Sequence, residues 1–190
     1  MALYAIGDLH LSLGTDKSME VFGGRWSDYV NKISAGFSKL EETDTCVLCG
    51  DTSWGMDIEE AGPDFQFIEG LPGNKILLKG NHDYWWSTVS KMQRFFEENN
   101  IKSISILNNN SFEYGDFSIC GTRGWFYEED RGTAHDKKIF RRELMRLEAS
   151  LNSAGDRQKL VFLHYPPKYL GYECKELLEI LEKHSVKMCC

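Results

Sequence analysis

A chain of 190 residues, 42% of them hydrophobic, can bury a sizeable core, and its length suits one domain spanning residues 1–190. A formal net charge of -7 disfavours nucleic acid as a general partner, because that role needs basic surface to replace counterions. No apolar run reaches membrane-span length, and "MALYAIGDLH" lacks the charged-then-apolar layout of a secretory leader, so the expected setting is cytoplasmic, with no membrane partner.

Five short apolar runs follow one another, each ending in Gly or a polar residue. "ALYAI" (2–6) leads into Gly7-Asp8, "TCVLC" (45–49) into Gly50-Asp51, and "KILLK" (75–79) into Gly80-Asn81. "FSIC" (117–120) leads into Gly121, and "LVFL" (160–163) into His164. Near-continuous apolar strands of this kind suit sheets covered on both faces. Between them, Trp26, Tyr29, Val30, Ile33, Phe37 and Leu40 fall on one helical stripe, and Phe140, Leu144, Leu147 and Leu151 on another. Residues 84–98 and 173–184 also read as helices. The stretch "SISILNNNSFEYGDFSIC" reads as a hairpin with Asn108 to Asn110 near its turn. The order is therefore βαβαβα, a hairpin, then αβα, an α/β chain with some antiparallel strands. Residues 12–24, "SLGTDKSMEVFGG", are expected to form a lid or rim over the strand ends.

Cys46 and Cys49 form a C-x-x-C, a spacing used in redox and zinc sites. On a strand, however, positions three apart point to opposite faces, and no second C-x-x-C supports zinc. Buried reduced thiols are the expected state.

Four strand ends carry side chains able to hold a metal: Asp8 and His10; Asp51; Asn81, His82 and Asp83; and His164. Open α/β sheets gather their sites outside the carboxyl ends of the strands. Carboxylate, imidazole and amide oxygen suit Mn, Fe or Zn rather than thiolate-bound clusters. If strand conformation persists one residue past the end, Asp8 and His10 point the same way. Taken singly, each piece has an ordinary explanation. Asp8 could cap a turn, Gly50-Asp51 is a common strand-to-loop signal, and His164 before Tyr165-Pro166-Pro167 could be a bonded loop histidine. Four such coincidences in succession carry the signal. His135 and His184, beside charged helical segments, are assigned to the surface.

The ordered series Asp8-Leu9-His10, Gly50-Asp51, Gly80-Asn81-His82-Asp83 and His164 resembles the calcineurin-like metallophosphoesterases. Their pattern runs D-x-H, G-D, G-N-H-D/E, His and finally G-H-x-H. The resemblance implies a β-sandwich of mixed sheets flanked by helices, in αββα layers, holding two divalent metal ions. Asp8 and His10 would bind the first metal, Asp51 would bridge both, and Asn81 and His164 would bind the second. His82 would face the phosphate as general acid or charge stabiliser, and Asp83 could orient it. The implied reaction is hydrolysis of a mono- or diester, in a small phosphoester or a phosphorylated substrate, by a metal-bridging hydroxide.

The sequence contains no G-H-x-H, and residues 186–190 read as the start of a strand. The expectation is a chain lacking a C-terminal part with that motif and the closing strands; a native mass of 21.9 kDa would contradict it. With the last ligands missing, metal affinity should be low, and His184 precedes the strand and should not replace them.

Two groups have two readings each. Arg123 could contact phosphate or pair with a local acid such as Glu128. Tyr84, Trp85 and Trp86 could stack a flat leaving group or form the buried first turn of a helix. The rival for the whole chain is a catalytically inactive scaffold or binding protein of the same fold.

Overall fold

Residues 1–126 and 132–190 are described in the computed structural model, and they divide into two compact units, Met1–Ile106 and Leu107–Cys190. In the first unit β1 (Leu3–Ile6), β2 (Thr45–Leu48), β3 (Asn74–Leu77) and β4 (Ile104–Ile106) form a parallel sheet in that order. Ile6 pairs with Leu48, Leu48 with Leu77, and Leu77 with Ile106, so the strands finish in register and their following loops emerge together. The crossovers are α1 (Tyr29–Phe37), α2 (Gly62–Glu69) and α3 (Val89–Glu98). Every residue of β2 is buried, which explains its uninterrupted apolar run. Leu48, Phe65, Ile68, Leu77, Met92 and Phe96 belong to one core that joins sheet and helices.

The expected helix over 84–98 begins only at Val89. Thr88 caps it, its side chain accepting from the Lys91 amide, and residues 84–86 are left in the preceding loop.

In the second unit the sheet order is β10-β7-β6-β5, with β5 (Phe112–Tyr114), β6 (Phe117–Thr122), β7 (Gln158–Leu163) and β10 (Met188–Cys189). β5 and β6 are antiparallel; the other pairs are parallel. The hairpin therefore turns at Gly115-Asp116, where Gly115 takes φ +54°, and not at Asn108 to Asn110. Residues 104–106 belong instead to the first sheet. Strand propensity in "SISI" was legible, but its partner lies in β3, far away in sequence. The 186–190 segment does supply a strand, β10, along β7.

α4 (Ala134–Ser153) opens on a capping box between Thr133 and Asp136. α4 and α5 (Lys175–Lys183) pack Leu147, Leu151, Leu177 and Leu181 around Val161 of β7. A small hairpin, β8 (Lys168–Tyr169) with β9 (Tyr172–Glu173), precedes α5.

The same device starts the central strand of each unit. Lys75 Nζ donates to the carbonyls of Leu71 and Gly73, four and two residues back, at 2.6 and 2.8 Å. Lys159 Nζ donates to those of Gly155 and Arg157, at the same offsets, at 2.9 and 3.0 Å. Each lysine is buried and satisfies carbonyls of the turn feeding its strand.

None of the six cysteines is in a disulfide. Cys46 is 3% exposed, and burial pushes its thiol up to about 12, as it pushes Cys120 up to about 11. A redox role for Cys46 and Cys49 is thereby disfavoured, since the thiolate is the reactive form. Iodoacetamide at pH 8 is expected to leave Cys46 and Cys120 unlabelled in the folded protein, with both labelled in denaturant. Mass mapping checks this, and rapid native labelling of Cys46 would contradict the burial. Among the described residues, no helix is long and apolar enough to cross a membrane.

Candidate metal centre

The loops after β1 and β2 are zipped together by their backbones. Asp8 N donates to Gly50 O at 3.0 Å, His10 N to Asp51 O at 2.9 Å, and Leu11 N to Thr52 O at 2.9 Å. This tracking does not continue the strand, as the sequence reading had supposed. Asp8, His10 and Asp51 take φ of 56°, 44° and 53°, in the left-handed region. That conformation costs an ordinary residue roughly 1–2 kcal/mol. Three such residues, all of them expected ligands, mark a segment held in place by its surroundings.

The result is a tight group. His10 Nε2 lies 3.7 Å from Asp8 Oδ1 and 3.7 Å from Asp51 Oδ2. Asp8 and Asp51 each offer a carboxylate oxygen within 4.8 Å of the other. Asp8 is exposed, whereas Asp51 and His10 are buried. The His10 ring stacks on Trp54 at 4.8 Å and meets Trp26 edge-on at 6.0 Å. Trp54 also lies 5.0 Å from the His82 ring, and the two imidazoles are themselves 5.8 Å apart, so the three rings form one cluster. Trp54 stands three residues after Asp51, outside every motif that carries a metal-competent side chain.

The loop after β3 closes on Asp51 from the other side. The His82 amide donates to Asp51 Oδ1 at 2.8 Å. A Cβ at Gly80 would collide with Asp51 Oδ1 and with the Asp51 amide nitrogen, so only glycine allows this approach. Asn81 is half-buried within the same loop.

Asp83 has a different position from that of a histidine orienter. It is 1% exposed, and its oxygens accept from the amides of Asp51 (2.9 Å), Thr52 (2.8 Å) and Gly80 (2.7 Å) and from Trp85 Nε1 (3.0 Å). A carboxylate has about four acceptor sites, and these four donors fill them. Burial pushes this carboxyl above its usual range; the amides of Gly80, Thr52 and Asp51 pull it back, while the Asp51 charge adds to the rise. Asp83 thus ties the β2 and β3 loops together. The Tyr84 hydroxyl lies 3.4 Å from His82 Nδ1.

In the second unit His164 follows β7 and is half-buried, its ring edge-on to Tyr165 at 5.0 Å. The Tyr165 amide donates to Arg123 O at 2.9 Å. The Arg123 guanidinium pairs with Glu143 of α4 at 3.3 Å, a buried carboxylate that also accepts from Arg146 (2.5 Å) and Thr122 Oγ1 (3.3 Å). Arg123 therefore has a local acid, but it is Glu143; Glu128 lies outside the described residues. His135 is exposed, as expected. His184 is only half-buried, and burial lowers its pKa, a correction to its placement on the surface.

Residues 1–190 match the calcineurin-like phosphoesterase family. A solved structure of a protein of unknown function from Aquifex aeolicus superposes with a TM-score of 0.50 at 19% identity, covering 100% of this chain and 89% of the other. A second reaches 0.62 at 13% identity, covering 98% and 81%. At such identities these two speak for the fold alone. No curated protein shows significant similarity. With parallel and mixed sheets flanked by helices, and with the family match covering residues 1–190, the chain belongs to the calcineurin-like phosphoesterases.

Proposed function

We propose that this protein hydrolyses a phosphoester with the help of two divalent metal ions. The observation that supports this most is the convergence of Asp8, His10 and Asp51, each in a left-handed backbone conformation, around the His10 imidazole. The donor set fits a divalent cation: two carboxylates face each other with an imidazole nitrogen 3.7 Å from both. Asp8 and His10 would hold one ion, Asp51 would reach both, and Asn81 would hold the other. His164 joins the second set by its place in the motif series. When bound, such ions neutralise phosphate charge and lower the pKa of water toward ~7.

His82 supplies the proton. Its backbone is fixed on Asp51, and the Tyr84 hydroxyl lies 3.4 Å from Nδ1; in the tautomer in which that hydroxyl donates, the ring proton is on Nε2, available to the departing oxygen.

The family assignment supports hydrolase chemistry; the metal and the choice of mono- or diester are part of the proposal. Chelated protein should not hydrolyse 4-nitrophenyl phosphate or its bis-ester, and added Mn should restore activity toward at least one. Metal binding without hydrolysis of any ester would favour the scaffold reading.

A further inference from the structure

The Tyr84-Trp85-Trp86 run has one member explained: Trp85 is buried and donates to Asp83. Tyr84 is not. It is 53% exposed, an unusual setting for a large ring beside a buried loop. Its ring meets that of His82 edge-on at 5.9 Å. Beyond it opens a cavity of about 440 Å³ whose apolar walls include Ile58, Tyr84, Trp86 and Phe95. Its charged lining is Asp57, Glu59 and Glu98 against Lys91 and Arg94, a net of -1.

We infer that this cavity is the leaving-group subsite, selecting phosphoesters of flat, uncharged aromatic alcohols. The inference rests on the proposed activity. In phosphoryl transfer the leaving oxygen departs on the side opposite the attacking water. His82, which protonates that oxygen, must then stand on the leaving-group side. Tyr84 is the residue that touches His82 and also lines a cavity. The organic group attached to the protonated oxygen passes the Tyr84 ring and lies between it and the Trp86 side, where a flat face gains aromatic contact. The excess of one carboxylate in the lining turns away a leaving group that carries its own negative charge.

The test compares 2-naphthyl phosphate with phenyl phosphate, whose alcohols are similarly acidic but differ in flat area. Wild type is expected to prefer the naphthyl ester in kcat/KM by about fivefold, the size of one aromatic contact. Tyr84→Ala should bring that ratio to near one, and Tyr84→Phe, which keeps the ring, should preserve it. A carboxylate on the distal naphthyl ring should abolish the preference. Binding of 2-naphthylmethylphosphonate to the Mn-loaded protein, followed by tryptophan fluorescence, gives a readout independent of turnover and should weaken in Tyr84→Ala. A wild-type ratio near one, or a preference that survives Tyr84→Ala, overturns the subsite while leaving the hydrolase reading intact. Phosphonate binding that depends on Tyr84, in a protein that hydrolyses no ester, supports the pocket and overturns the activity instead.

Discussion

Asp83→Ala is expected to lower the free energy of unfolding by about 4 kcal/mol, roughly 1 kcal/mol for each of four buried donors left without an acceptor. Asp83→Asn keeps the shape but offers one oxygen in place of two, so its loss should be intermediate. Urea denaturation in the presence of a chelator checks both without any contribution from bound metal. If Asp83 acted instead by orienting His82, the alanine variant would lose turnover and keep its stability. A change under 1 kcal/mol would therefore contradict the role given to it here.

The second large effect separates the two neighbours of that loop. His82→Ala should keep its metal content and lose a factor on the order of 10²–10⁴ in turnover, the usual contribution of a positioned proton donor. Asp51→Asn should lose both metal and activity. Asp51 accepts the His82 amide, packs against Gly80 and faces His10, so its carboxylate touches three parts of the centre at once. Elemental analysis beside steady-state kinetics distinguishes the outcomes. Metal-dependent activity retained in Asp51→Asn would count against its assignment.

The strands of the centre were legible because β1, β2 and β3 are short apolar runs that each stop at a glycine, and a parallel sheet in register brings those stops together. What sequence could not show was the backbone beyond the stops. Alternation predicted that Asp8 and His10 would share a face as strand residues; they instead face Asp51 by way of left-handed turns, held by hydrogen bonds to the β2 loop. Asp83 was legible as a motif member but its anchoring task was not, because two of its four donors, the amides of Asp51 and Thr52, lie some thirty residues away in the β2 loop. Tyr84, Trp85 and Trp86 could be read as the buried first turn of a helix over 84–98, yet the Thr88 cap places the helix start after them. Arg123 found its acid twenty residues away on α4, a distance at which no local pattern points to a partner.

Titrating Mn(II) into chelated protein, while following bound metal and phosphate release in the same samples, tests the central claim most directly. The account predicts that hydrolysis rises with bound metal in wild type, and that Asp51→Asn shows neither. Hydrolysis indifferent to metal, or full metal occupancy with no phosphate released from any ester, would contradict it.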